Sequence, residues 1–452
     1  MRFILFLIFA MLAASCSNIE SIKPPGETVP EGWIRGEDAL HVDSNGCLRN
    51  KNNQEIILRG VNLGGWMIQE SWMCPVTGAD KAWANLDTIN AMEIRGWSAA
   101  QIQELFDTYQ DNWITEDDFD FFKNCGVNSI RIPIWYRNFM SDDKGAWIND
   151  NGSKSVTANP GFKRLDWAIL EAKKRGMYVI PDMHGVPGGQ SMDHSCGTLA
   201  KNEVYTNAAY EQITVDLWKA IAKRYKDEAA VAAYDLLNEP QNNNDYTGSN
   251  AWKAGSNRAV YETVRLYDRL YREIRIIDPD TIIIMEGIWS MNLPNPLYAY
   301  NGAPDINVRY SGKKTSWNKN VMYSMHLYDK ELPGLNSRVD ELLKAREDWK
   351  VAVHIGEFNN GDINQAAAYV MYNANKINWN MWTYKLAGAN MGNWSLHQGR
   401  RKLKADPVID SFETIKEKWG ETLRTFENGT QTIAEGWTRQ AGFDWYNLGQ
   451  NQ

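Results

Sequence analysis

The sequence has no long run of lysine and arginine, and acidic residues outnumber basic ones, for a formal net charge of −8. The basic footprint of a nucleic-acid binder is therefore missing, and nucleic acid is not an expected partner. Cysteine is scarce, five residues in 452. No two form a CxxC pair and none has metal-ligand spacing, so the sequence implies no metal site. No GxGxxG follows an apolar run, which leaves a dinucleotide-binding open sheet without its signature. Repeats with a period of about 20–50 residues are absent, which argues against a solenoid. The apolar stretch at the N-terminus is too short to span a bilayer.

What the chain has in plenty is aromatic side chains: 20 Trp, 20 Tyr and 13 Phe. Part of these must be core, since large rings dominate buried area. A surplus of indole also suits stacking on the C–H faces of sugar rings. With 43% hydrophobic and 23% charged residues, the chain is long enough to bury one large core or two smaller ones.

The N-terminus is a targeting segment. Arg2 is the positive region, residues 3–12 are apolar, and LAASC supplies the small residues before a cleavage site. Cys16 directly after them resembles the lipobox of bacterial lipoproteins, which implies a signal peptide over 1–15 and a lipid on Cys16. That lipid would be the only membrane contact, at the outer membrane and on the cell surface; a periplasmic or secreted protein is the alternative. Residues 16–39 are rich in Pro, Gly and charge and read as a tether, with one domain over 40–452. An exported compartment permits disulfides among Cys47, Cys74, Cys125 and Cys196, but spacing cannot pair them.

The domain begins with a hairpin signal, ALHV and CLRN around Asn45-Gly46, placed to close one end of a larger fold. Eight apolar runs follow, at 55–63, 127–134, 177–184, 231–239, 281–287, 321–328, 351–358 and 381–388. Amphipathic helices separate most of them, for example at 161–176, 207–226 and 258–278. Strands buried on both faces and alternating with helices argue a parallel sheet, and eight of them argue an α/β fold of the closed (β/α)8, or TIM barrel, type. A doubly wound open sheet is the structural rival.

In such a barrel the active site gathers at the C-terminal strand ends. Those ends carry Arg131 and Pro133, Asp182 and His184, Asn238 and Glu239, Glu286, His326 and Tyr328, Glu357, and Trp382 and Tyr384. Any one could be a structural cap; together they put carboxylates, imidazoles, an arginine and aromatics in one bowl. Glu239 and Glu357 end strands four and seven, roughly opposite one another. Glycosidic hydrolysis wants such a pair, an acid for the leaving oxygen and a carboxylate at the oxocarbenium-like centre.

The motifs LLNEP, RIP, HG, HLY, GEF and the Trp of WTYK, in this order, resemble glycoside hydrolase family 5 across roughly residues 40–425. The resemblance implies that Glu239 is the acid/base and Glu357 the nucleophile of a retaining mechanism. Asn238 would bond the sugar 2-hydroxyl, and Arg131 would keep Glu357 charged. Tyr328 would donate to Glu357, His184 and His326 would shape the −1 subsite, and Trp382 would be the platform under that sugar. No cofactor is implied. Ser324 stands where many relatives carry an acid, Asp182 is expected to support His184, and Glu286 is either a substrate contact or a helix cap. His354 and His397 read as structural.

RGVNLGGWMIQESW and DMHGVPGGQ look most like the exo-β-1,3-glucanase branch, so a β-glucan (β-1,3, β-1,4 or β-1,6 linked) is the expected substrate, with mannan or a glycolipid as alternatives. The loop at 187–190 would narrow one end of the cleft. The inserts at 64–112 and 241–257, with Trp66, Trp72, Trp83, Trp97 and Trp252, would supply subsite walls or packing. Two other readings use the same residues: a surface glycan-binding lipoprotein that cuts nothing, and a transglycosylase.

Overall fold

The computed structural model describes residues 39–77, 83–124, 126–148, 159–240, 257–287, 317, 319–387, 394–398, 404–421 and 423–424. Residues 1–38, which hold the expected signal peptide and all but the last residue of the expected tether, lie outside them, as do Cys125 and Trp252.

Three short strands come first: β1 (His41–Val42), β2 (Leu48–Arg49) and β3 (Glu55–Ile56). Eight more follow: β4 (Arg59–Asn62), β5 (Ser129–Trp135), β6 (Tyr178–Gly185), β7 (Ala233–Asp235), β8 (Ile282–Glu286), β9 (Val321–Leu327), β10 (Ala352–Phe358) and β11 (Asn378–Met381). These eight pair in parallel and close on themselves in the order β4 to β11, with β11 returning to β4. The fold is the expected (β/α)8 barrel.

Helices surround it. After β4 come α1 (Asn85–Ile94), α2 (Ala99–Trp113) and α3 (Glu116–Asn124); then α4 (Pro160–Lys174), α5 (Ala208–Tyr225), α6 (Asn257–Ile277), α7 (Leu332–Trp349), α8 (Gly361–Ala374) and α9 (Phe412–Glu421). Local chemistry explains their starts. Asn159 accepts the N–H groups of Gly161 and Phe162 while Pro160 occupies the first turn of α4, and Asn207 caps α5 in the same way. Along α4 the buried Phe162, Leu165, Ala168, Ile169 and Ala172 recur at helical spacing and face the barrel. Phe162→Ala there would cost about 3–5 kcal/mol.

The early hairpin forms and closes one end. Leu40 and Leu48 pack with Ile180, Ala233, Ile282, Met322 and Ala352, residues near the starts of the barrel strands. The opposite end is left for the site. Cys47, Cys74 and Cys196 are all unbridged thiols.

Three strands differ from the apolar runs. The run 55–63 breaks at Ile57: Ile56 pairs antiparallel with Leu48 in a three-stranded sheet, whereas Leu58 already bonds the barrel through Asn378 and Trp379. The run 231–239 forms a regular strand only over Ala233–Asp235, with a single bridge from Val231 to Val179 before it, and Asn238 and Glu239 lie on a bend beyond its end. The last strand is earlier than 381–388: it ends at Met381, and Trp382 and Tyr384 bond Phe358 and Asn62 from beyond it. Hydropathy continues across each point because both sides are buried, so only the hydrogen-bond partners mark the boundary.

Candidate active site

Arg131, on β5, is fully buried at the centre of the mouth. Its Nε donates to Asp235 at 2.9 Å, Nη1 to Asn62 at 3.0 Å and to Glu357 at 2.9 Å, and Nη2 to Asn238 at 2.9 Å and Glu286 at 2.8 Å. Asp182 lies 3.0 Å from Nη2. Burial works against the guanidinium's charge, but Asp182, Asp235, Glu286 and Glu357 together hold its pKa well above the ordinary value. Burial, with Glu286 adjacent, pushes the Asp235 carboxyl well above the usual range. Asp182, Asp235 and Glu286 converge as a metal site would; the Arg131 guanidinium already stands in that place.

Glu357 owes its direction to a bulge. The register of β10 against β9 slips between Ile355 and Glu357, leaving Gly356 as the extra residue. A Cβ there would stand 2.8 Å from His326 Nε2 and 3.0 Å from Ser324 Oγ, so the bulge needs glycine. Glu357 accepts from Tyr328 Oη at 2.7 Å as well as from Arg131. Ser324 Oγ lies 3.1 Å from His354 Nδ1, whose Nε2 is 2.9 Å from Asn380. Burial pushes His354 down to about 3, so it is a neutral, structural imidazole. The side chain of His397 lies outside the described residues.

Glu239 follows β7 with φ of 43°, a left-handed conformation that costs a side-chain-bearing residue energy. Its N–H donates to Glu286 Oε2 at 2.7 Å, and its Oε1 lies 2.8 Å from His326 Nδ1. Burial, helped by Glu357 and Glu286 and opposed by His326, raises the Glu239 carboxyl to about 7. Burial acts on Glu286 too, but His326 and Arg131 outweigh it and draw that carboxyl down to about 2. Between them His326, whose Nε2 is 3.1 Å from Glu286 Oε1, is held well above its ordinary value by Glu286 and Glu357 against the effect of burial.

Glu239, His326 and Glu357 each bring a ligand atom within 4.8 Å of the other two. The carboxyl raised to about 7 thus shares one space with Glu357, which accepts from a guanidinium and a phenol. A cavity of about 390 Å³ opens there, lined by Glu239, Glu357, His184, Tyr328 and Trp382 among others. Arg131 and Asn238 are buried behind its surface, and His326, whose side chain is only 1% exposed, is not among the residues that line it. His184 Nδ1 sits 2.7 Å from Asp182, as anticipated, and its ring stacks on Trp382 at 5.5 Å. Glu286 is not a wall residue, and among the described residues its carboxylate faces Arg131, His326 and the Glu239 backbone and caps no helix.

Three loops complete the cavity with residues that sequence reasoning passed over: Glu70, Asp193, His194 and Trp394. Glu70 accepts from Trp72 Nε1 at 2.7 Å and lies 3.8 Å from His194. Burial raises its carboxyl despite His184 and Trp72. Trp394 meets Trp72 edge-on at 5.5 Å and tilts over Tyr328 at 5.7 Å. The polar pair inside WMIQESW was a usable signal for Glu70; nothing local distinguishes Trp394. Of the expected walls, Trp72 lines the cavity, whereas Trp66 is buried with its N–H on Gln110 and Trp97 packs between Arg95 and Phe412. Trp83 does not reach it. Gln190 does not narrow the cleft either: its amide is buried and holds the carbonyls of His184 and Asn238. A larger cavity, about 830 Å³, runs along α2 but contains neither carboxylate of the pair, so the chemistry and not the size locates the site.

Comparison with known proteins follows the same line. The family model "Cellulase (glycosyl hydrolase family 5)" matches residues 80–398. A beta-xylosidase of Phanerodontia chrysosporium is 27% identical over 75% of this chain and 69% of its own length. A probable glucan 1,3-beta-glucosidase A of Aspergillus clavatus is 33% identical over 42% of each; the chain thus spans less than half of that relative. The crystal structure of rutinosidase from Aspergillus niger superposes with a TM-score of 0.53 at 17% identity, over 81% of this chain and 98% of that one, a likeness of fold.

Proposed function

The chain belongs to glycosyl hydrolase family 5, and from that premise we propose that it is a retaining β-glycosidase acting on β-glucan. In the first step the Glu357 carboxylate attacks the anomeric carbon. The glycosidic C–O bond breaks as Glu239 gives its proton to the leaving oxygen, and a glycosyl ester on Glu357 forms. In the second, Glu239 takes a proton from water, whose oxygen displaces Glu357, and both carboxyl groups return to their starting states. The observation that carries this reading is that one oxygen of Glu239 and one of Glu357 lie within 4.8 Å of each other, an approach compatible with the ~5–5.5 Å carboxyl separation of a retaining pair. The raised Glu239 and the Arg131 and Tyr328 donors on Glu357 fit the two roles. Trp382 and the Trp72–Trp394 pair supply faces for sugar rings, and Glu70 and His194 supply partners for hydroxyls. The glucan assignment rests on the loop motifs and on the glucan glucosidase among the relatives.

The test is reducing-sugar release from laminarin, lichenan, carboxymethylcellulose, pustulan and xylo-oligosaccharides, with Glu357→Gln alongside and the first-formed anomer followed by NMR. Release of the β-anomer by wild type alone supports the proposal. Binding without release would favour the capture role, transfer to sugar at high substrate a transglycosylase, and release from xylo-oligosaccharides alone a different glycan. We further propose lipidation at Cys16 and an outer-membrane location. Cys16→Ser should move the protein from the membrane to the soluble fraction, and an unchanged distribution would refute this.

A further inference from the structure

Glu286 is not needed for the two-carboxylate chemistry, yet it is built into the site from three sides. Its Oε2 accepts the backbone N–H of Glu239 at 2.7 Å, its Oε1 lies 3.1 Å from His326 Nε2, and Arg131 Nη2 anchors that same oxygen at 2.8 Å. The two contacts other than Arg131 converge on one residue. The first holds the left-handed backbone of Glu239, and the second reaches its side chain through the imidazole, because His326 Nδ1 lies 2.8 Å from Glu239 Oε1.

We propose that Glu286 is the positioning residue of the acid/base: by holding His326 protonated on both nitrogens it makes Nδ1 a donor to Glu239 Oε1. The reacting proton then stays on Oε2, facing the cavity. The logic is one of hydrogen-bond inventory. An imidazole that donates through Nε2 to an anion and through Nδ1 to Oε1 leaves Glu239 only its second oxygen for a proton. A neutral partner at 286 would leave Glu357, 3.4 Å from Nδ1, as the remaining anion beside the ring, and the imidazole would lose a proton more readily. Nδ1 would then accept, and the Glu239 proton would turn inward, away from the leaving oxygen. Direct contact with substrate is not part of the role, since Glu286 is buried and does not line the cavity.

The inference rests on Glu239 being the acid, and the test separates the two claims. kcat/KM is measured for Glu286→Gln and wild type on laminaritriose, whose leaving group needs a proton, and on 2,4-dinitrophenyl β-glucoside, whose leaving group does not. Loss of general acid catalysis predicts a fall of about 100-fold or more on the first and less than about threefold on the second. Stoichiometric labelling of Glu357 by a 2-deoxy-2-fluoroglucoside with the same activated leaving group shows that the rest of the site is intact. Glu286→Asp keeps the charge on Arg131 but is one methylene shorter, and should show the same split in weaker form. Equal losses on both substrates, or no loss, in the two variants would overturn the inference. Glu239→Ala is run in parallel: a split there without one in the 286 variants sinks the role of Glu286 alone, whereas no split in Glu239→Ala removes the acid assignment and this inference with it.

Discussion

Glu239 Oε1 and His326 Nδ1 stand 2.8 Å apart, and the same imidazole reaches Glu286. Burial outweighs its pull on Glu239, whereas on Glu286 the imidazole and Arg131 together outweigh burial. One is raised to about 7, the other lowered to about 2. Environments that separate the pKa values of neighbouring carboxyl groups assign acid and anion roles.

Glu239 must carry its proton to act in the first step. Since its folded value is raised to about 7, kcat/KM on laminari-oligosaccharides should be highest below that value and fall as pH climbs through it. The falling limb should be absent with 2,4-dinitrophenyl β-glucoside. Identical limbs on both substrates would assign the titration to another group.

Glu239→Ala should lower kcat/KM on oligosaccharide by about 10²–10⁴. With an activated aryl glucoside and added azide, turnover should recover and release β-glucosyl azide, because Glu357 still forms the ester and a small anion then enters the space vacated by the side chain. Azide should do nothing for Glu357→Gln. An α-configured azide from Glu239→Ala would contradict the order of roles.

Arg131→Met removes the cation that Asp182, Asp235, Glu286 and Glu357 share. Stranding buried charge of this kind costs about 3–5 kcal/mol, to be read as a lower urea midpoint at unchanged slope. An unchanged midpoint would mean that the carboxylates shed their charge without help from the arginine.

Trp394 touches Trp72 and Tyr328 and faces the cavity, but no reacting group depends on it. Trp394→Ala should raise KM up to about tenfold, the worth of one aromatic contact, with kcat nearly unchanged. A fall in kcat alone would instead mean that the ring acts through Tyr328 on Glu357.

Much of the molecule was legible in the order of residues along the chain. Eight apolar runs separated by helical patterns announced the barrel, because burial on both faces leaves a local mark. The polar residues ending those runs announced its mouth, and five of the expected residues, His184, Glu239, Tyr328, Glu357 and Trp382, do line one cavity. Caps such as Asn159 and Asn207 were equally local.

What the folded chain alone decided depends on partners far apart in sequence. Ile56 and Leu58 look alike in hydropathy, yet one pairs with the hairpin and the other with the barrel. Glu286 looked like a cap or a contact, but its neighbours come from three other strands or strand ends. Residue type and periodicity record how apolar a position is, and so they determined the barrel and which polar residues end its strands. Which atom donates to which, and so how the surroundings of the two glutamates differ, was decided by groups that only closure of the barrel brings within hydrogen-bonding distance.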